Sequence, residues 1–375
     1  MSATRTTPLH ERHAALGASF TDFGGWDMPV RYTSDLGEHH AVRQAAGLFD
    51  ISHMAEFLVT GEGAGTFLDH ALAGRISTMR AGKAKYSLLL TDAGGVLDDV
   101  IVYRLADERF LVISNAGNRE AVAAAFAERV RDHSADAADA AVEDVSDAYA
   151  LIAVQGPRAL EIVETTAGIA DVAPALADLG YYAWSGGTFQ GEPLFIARTG
   201  YTGEDGFELM IPNALAPALW DALLVAGTPL GLVPAGLAAR DTLRLEAGMP
   251  LHGHELSTDI LPAQAGLGRV VAMDKADFIG KPALAAASDD LPVLVGLVAD
   301  GRRAGRAGYA VLDADSGAPV GEITSGALSP TLGYPIALAF VAPASAAVGT
   351  SLFIDVRGTP IPATVTALPF YRRTA

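Results

Sequence analysis

The chain of 375 residues carries 44 acidic against 26 basic side chains, a formal net charge of -18, so its surface as a whole repels a nucleic-acid backbone and nucleic acid is excluded as its main partner. Half of the residues are hydrophobic and 19% are charged, which excludes wholesale disorder, and no apolar run approaches the roughly 18 residues of a membrane span. There is no cysteine, which removes disulfides, thiolate nucleophiles and cysteine-ligated metal centres and leaves oxygen, nitrogen or a bound small molecule to carry any chemistry.

The length predicts two or three domains. The opening MSATRTTPLHERH lacks the apolar stretch of a secretory signal, so the expected location is cytoplasmic, with no membrane association. In chain order, DLGEHHAVRQAA over residues 35–46 predicts a helix stopped by Gly47, and the strand-like EFLVT runs up to Gly61. The GEGAGTF that follows fits neither dinucleotide-binding nor Walker spacing and reads as a tight strand-to-helix turn. Between Tyr86 and Asn115, KYSLLLTD and VIVYRL flank the turn signal AGG and FLVISN comes next, which predicts an antiparallel meander. Residues 119–131 have helical spacing, and the Ala/Asp-rich DHSADAADAA after them reads as a surface connection. The strand ALIAV, a helix opened by Gly156 and Pro157, the strand LFIAR and the helical NALAPALWDALLVAG make a mixed middle region. Beyond Lys281 the segments VLVGLVAD, YAVLDAD, GEITSG, IALAFVAP, SLFIDV and PATVTAL predict an all-β barrel or sandwich.

Several constellations can carry chemistry. GGVLDDVIVY places Asp98 and Asp99 at the mouth of a strong β run, where adjacent side chains point to opposite faces, so one of the two serves a given pocket. Asp99 is in phase with Ile101 and Tyr103, Asp98 with Val96, Val100 and Val102; the alternation alone does not choose between them, and a solvated hairpin pair is the plain alternative. RTGYTGEDGFEL is dense in glycine and acid, suited to a loop whose backbone approaches a flat ligand, and Glu208 in its strand-like end offers two oxygens to paired N–H donors. In GLAARDTLRLEAGM, Arg240 and Arg244 stack on one helix face, where they either grip a ligand carboxylate or pair with Asp241 or Glu246. His252 and His254 would share a strand face, but no third or fourth ligand lies nearby and the helical neighbours His39 and His40 diverge, so no metal site is expected.

Taken in order from Pro8 to about Tyr371, the motifs DFGGWDMPV, LFDISHM, GGVLDDVIVY, AVQGP, RTGYTGEDGFEL, GLAARDTLRLEAGM and GEITSGALSPTLGYPIALA resemble the aminomethyltransferase, or T-protein, family of the glycine cleavage system. The resemblance implies an α+β, three-domain folate-binding cloverleaf with a C-terminal all-β barrel. Residues 1–50 plus 141–275 would form a discontinuous first domain, 51–140 an inserted α+β domain and 276–375 the barrel. It implies Asp99, the second acid of the pair, as the catalytic carboxylate. Met54, Tyr86, Ile101, Asn115, Tyr201, Glu208 and Arg240 would line the folate pocket, with Arg372 or Arg373 at the substrate's tail. The implied cosubstrate is tetrahydrofolate, and the implied partner is the lipoylated H protein that carries an aminomethyl group. GLAARD stands where GLGARD is more usual, and MPLHGHEL also departs from the family pattern. Two rival readings accompany this one: a folate-dependent demethylase of a small sulfur or amine substrate, and a non-catalytic folate-binding relative whose characteristic cysteine motif this chain lacks.

Overall fold

Residues 4–133 and 139–373 are described in the computed structural model, so residues 134–138 of the expected Ala/Asp-rich connection lie outside the described residues. They fall into two units. The first comprises Met1–Ser87, Asp99–Gly200 and Glu204–Arg240, the second Leu88–Asp98, Tyr201–Gly203 and Asp241–Ala375.

In the first unit a seven-stranded sheet runs in the order Ile169–Ala173, Trp184–Phe189, Glu192–Ala197, Gly206–Pro212, Tyr149–Gln155, Ala46–Asp50, Leu232–Pro234. Its ladders are antiparallel except the last, where Leu232–Pro234 pairs parallel to Ala46–Leu48. The strand Tyr149–Gln155 is buried at every position after the first, which explains a run of apolar residues without polar alternation. Helix Ala216–Gly227 lays Leu219, Trp220 and Leu223 on this core, and helix Ala159–Thr165 adds Ile162 and Val163. Each large apolar side chain fully withdrawn from water in this way contributes about 1.5–3 kcal/mol.

The helix expected over 35–46 spans Asp35–Gln44, capped by Ser34, whose hydroxyl accepts from the Gly37 N–H at 3.3 Å. Gly47 does not stop it. Gly47 sits inside the strand Ala46–Asp50, and a Cβ there would lie 2.5 Å from Val42 Cγ2, so glycine lets the helix return closely over the strand that follows it. The helix His10–Ala15 and the hairpin Ser19–Phe23 with Trp26–Arg31 had no counterpart in the sequence reading.

The meander appears as expected, within a five-stranded sheet ordered Ala84–Leu90, Val96–Ala106, Arg109–Ser114, Ala55–Thr60, Ala141–Asp144. Helices Ala64–Ala71 and Arg119–His133 accompany it, and Phe57 and Phe67 meet Phe126 between them. The hairpin tip Leu88–Asp98 groups with the second unit.

In the second unit the six apolar segments of the tail form a closed barrel rather than a sandwich. Val293–Ala299 pairs with Pro335–Val341 on one side and with Thr359–Thr366 on the other, so the sheet closes and loses its edges. Val295, Leu297, Ile323, Ala339, Ile354 and Val365 are among the residues that fill its interior. Among the described residues, no helix is long and apolar enough to cross a membrane.

Candidate functional site

Burial along Val96–Ala106 follows the pleat. Val96, Asp98, Val100 and Val102 are buried, whereas Leu97, Asp99 and Ile101 are half-buried. The alternation therefore separates the two acids: Asp98 is 0% exposed, and Asp99 shares the opposite face with Ile101 and Tyr103. Both oxygens of Asp99 receive donors. The Tyr86 hydroxyl donates to Oδ2 at 3.0 Å, and the Asn115 amide donates to Oδ1 at 2.7 Å and to the Asp99 carbonyl at 3.3 Å. Tyr86 comes from the neighbouring strand Ala84–Leu90, and Asn115 stands where Arg109–Ser114 gives way to the turn Ala116–Asn118. The carboxylate is thereby fixed in direction.

Glu208, on Gly206–Pro212, accepts from the Thr199 hydroxyl, which also meets the Tyr103 hydroxyl at 3.0 Å. Burial pushes the Tyr103 phenol well up, and Glu208 adds to the shift. The Tyr182 phenol is likewise raised, by burial first and then by Tyr181, Glu208 and Asp99. Both phenols stay protonated donors at neutral pH, and Tyr182 feels both carboxylates. The other acids of the loop are occupied structurally. Arg43 pairs with Glu204 at 3.0 Å, and Arg198 grips Asp205 through two bonds of 2.9 and 2.6 Å. Glycine is required beneath them: a Cβ at Gly200 or Gly206 would lie 2.1 or 2.4 Å from the Gln155 amide, which donates to the Thr199 carbonyl at 3.0 Å.

Met54 is half-buried in the turn after Ala46–Asp50, its N–H donating to the Ile51 carbonyl at 3.1 Å. Arg240 lies on helix Leu237–Glu246, also half-buried. Tyr201 and Arg372 belong to the second unit, where the Tyr201 hydroxyl donates to the Pro250 carbonyl and Arg372 Nη2 to the Leu368 carbonyl at 3.5 Å. Arg244 differs from Arg240. It is 1% exposed and bonds to Asp241 at 2.9 Å, Glu255 at 3.0 Å and Ser325 at 2.8 Å, so here the internal ion pair is realised. Glu246, expected as a possible partner, instead accepts from Ser329 and Thr331. His252 and His254 do not share a strand. They flank a tight turn at Gly253, with His252 Nε2 at 3.3 Å from the Val96 carbonyl and His254 Nδ1 at 2.9 Å from that of Thr324. No cluster of three metal-ligating side chains occurs among the described residues.

The sequence falls under two family descriptions, "GCVT N-terminal domain" over residues 9–275 and "Glycine cleavage T-protein C-terminal barrel domain" over residues 293–372. It is 54% identical to an aminomethyltransferase of Cutibacterium acnes and 53% identical to one of Saccharopolyspora erythraea, each over 100% of both chains. The crystal structure of the glycine cleavage system aminomethyltransferase T from Bartonella henselae superposes with a TM-score of 0.88 at 37% identity, covering 98% of each chain. The chain belongs to the glycine cleavage T-protein family.

As a member of the T-protein family it is an enzyme, an aminomethyltransferase by class. Within this T-protein fold, Tyr86 and Asn115 gather on Asp99, and Glu208 joins Tyr103 through Thr199. Tyr103, Tyr182 and Thr199 were not singled out from the sequence. Tyr103 had a signal, since it is in phase with Asp99; Tyr182 and Thr199 had none that local spacing carries.

Proposed function

We propose that the chain moves the methylene carbon of an aminomethyl group from the lipoyl arm of a glycine cleavage H protein to tetrahydrofolate, releasing ammonia. In this reaction the carbon–sulfur and carbon–nitrogen bonds of the adduct break, and two bonds to folate nitrogens form. The protons those nitrogens lose go to ammonia and the freed thiolate, so no oxidant or reductant enters. The chain then has three tasks: hold the pterin, point its nitrogen at the methylene and give the proton a route.

The single observation that carries the reading is the Asp99 carboxylate held by Tyr86 and Asn115. A carboxylate fixed on both oxygens orients a folate ring N–H and accepts its proton, help typically contributing on the order of 10²–10⁴ in rate. Glu208 is suited to the aminopyrimidine edge. Met54 and Ile101 would supply apolar walls, with Arg240 as a cation for the ligand; Tyr201 and Arg372 are proposed folate contacts on the family resemblance alone. A three-part division of the chain belongs to the same proposal. It is supported by the pairing of Ala46–Asp50 with Tyr149–Gln155, while the chain between them builds a sheet of its own. The proposed setting is the cytoplasm.

The test supplies aminomethylated H protein and tetrahydrofolate and follows ammonia and methylene-tetrahydrofolate together. Equal amounts of both are expected, and Asp99→Asn should lose most turnover while binding folate nearly as before. Absence of both products would refute the proposal. Methyl-tetrahydrofolate from a small substrate without carrier would favour a demethylase instead.

A further inference from the structure

Tyr103, Thr199 and Glu208 lie in the first unit and are joined by a continuous chain of side-chain hydrogen bonds. Its inner end is sealed from water, with Tyr103 2% and Thr199 1% exposed, and its outer end is the half-buried Glu208. Chemistry fixes the direction of donation along it. A carboxylate has no hydrogen to give, so the single hydroxyl proton of Thr199 goes to Glu208 Oε2. Thr199 Oγ1 is then left to accept, and the Tyr103 phenol donates to it across 3.0 Å. The phenol holds that proton at neutral pH, because burial raises it well above its ordinary value.

Each member of the chain is anchored on a different element. Tyr103 comes from Val96–Ala106, and its ring meets Phe195 edge-on with centroids 5.1 Å apart. Thr199 follows the strand Glu192–Ala197, and its carbonyl accepts from the Gln155 amide at 3.0 Å. Glu208 stands between Ala197 and Ala153 in the seven-stranded sheet. The three side chains thus tie the strand that carries Asp99 to the strand that carries Glu208. Thr199 is gripped at both its hydroxyl and its carbonyl, so the proton it offers Glu208 comes from a fixed point.

We infer that Thr199 is a positioning residue that sets specificity: held by Tyr103 and Gln155, it fixes the rotation of the Glu208 carboxylate so that both oxygens meet the paired N–H donors of an aminopyrimidine edge. The inference rests on the proposed place of Glu208 in the folate pocket. Each carboxylate oxygen has two lone pairs, so Oε2 can hold the Thr199 hydroxyl and a ligand N–H together. A carboxylate turning freely would meet one donor as readily as two, whereas a bonded buried network keeps one orientation before the ligand arrives.

The test measures dissociation constants by calorimetry on the full-length protein, for tetrahydrofolate and for its 2-desamino-2-methyl analogue, which lacks the exocyclic N–H donors. Turnover is read in the aminomethylated-carrier assay. The wild-type protein should bind the analogue on the order of tenfold more weakly, the scale of one hydrogen bond to a charged group. Thr199→Val keeps the shape and removes the hydroxyl. It should weaken tetrahydrofolate binding on the order of tenfold and bring the analogue within about threefold of the parent ligand, with kcat within about threefold. Thr199→Ser keeps the hydroxyl and should restore both constants to within about threefold of wild type. Glu208→Ala should lose the discrimination by itself, and Thr199→Val should add nothing in that background. The inference is overturned if Glu208→Ala weakens binding while Thr199→Val keeps wild-type affinity and discrimination. It is equally overturned if Thr199→Val and Thr199→Ser lower the melting temperature and kcat alike with the discrimination unmoved. Should Thr199→Val fail to fold, Tyr103→Phe decides, since it removes the donor that holds Thr199: a loss of affinity of about threefold with weaker discrimination is expected, and wild-type values overturn the inference. A wild-type affinity in Glu208→Ala would instead remove Glu208 from the folate pocket, and the Thr199 inference with it.

Discussion

The two bonds that aim Asp99 make a quantitative expectation. Tyr86→Phe removes the 3.0 Å bond to Oδ2 and leaves the ring; Asn115→Ala removes the 2.7 Å bond to Oδ1 and the 3.3 Å bond to the carbonyl of the same residue. A hydrogen bond to a charged group is worth about 1.5–3 kcal/mol, and the lower end applies because all three residues are half-buried rather than sealed from water. Since 1.36 kcal/mol is tenfold in rate, Tyr86→Phe should lower kcat about tenfold and Asn115→Ala about tenfold to a hundredfold. The assay is methylene-tetrahydrofolate formation at saturating aminomethylated carrier and folate, which separates turnover from binding. If both residues act by holding Asp99, neither substitution should cost much further in an Asp99→Asn background, because groups acting as a unit are strongly non-additive. Two single variants with kcat within twofold of the parent, or full additivity with Asp99→Asn, would refute the argument.

Two further expectations concern stability. Arg244 and Glu255 are 1% and 0% exposed, so Arg244→Met leaves a buried carboxylate without its cation and should cost about 3–5 kcal/mol in denaturant unfolding of the second unit; a change below about 1 kcal/mol would contradict this reading of the pair. Burial alone would raise the pKa of Asp50, but the hydrogen bond and charge of His13, with Thr7 and Ser52, outweigh it and hold the group below the ordinary carboxylate range. A depressed folded-state pKa adds stability above the unfolded value, about 4, and loses it as pH falls through the folded value. Asp50→Asn should therefore weaken the fold at neutral pH and flatten its loss of stability below about pH 4, as read by urea titrations across pH; an unchanged acid slope would count against it.

How much of this was legible follows from how local each cause is. Strand alternation at Asp98 and Asp99 is a property of consecutive residues, so the sequence already states that the two acids serve different faces. It does not state which face is core, because that depends on the chains packed against each side; the buried positions 96, 98, 100 and 102 decide it. The six barrel strands were visible as apolar runs, but closure into a barrel depends on Val293–Ala299 meeting Thr359–Thr366 across most of the unit. The strand Ala46–Asp50 was hidden because its glycine reads as a helix stop, and the reason for that glycine, Val42 Cγ2 at 2.5 Å from a built Cβ, appears only once the helix is folded back.

Arg240 and Arg244 show where local reasoning divides. Four residues apart on one helix, they have the same spacing, similar neighbours and the same choice between a ligand and an internal acid. The structure separates them through residues far away in sequence. Glu255 and Ser325 close on Arg244, while Ser329 and Thr331 of the same GEITSGALSPTLGY segment close on Glu246 of the same helix. That segment is thus a set of hydroxyl clasps on a helix end, and its serines and threonine satisfy charges that burial would otherwise make costly. With its donors turned to Glu255, Asp241 and Ser325, Arg244 is committed to holding the second unit together. Arg244 can therefore be replaced only at the expense of Glu255, whose carboxylate it holds within the same unit.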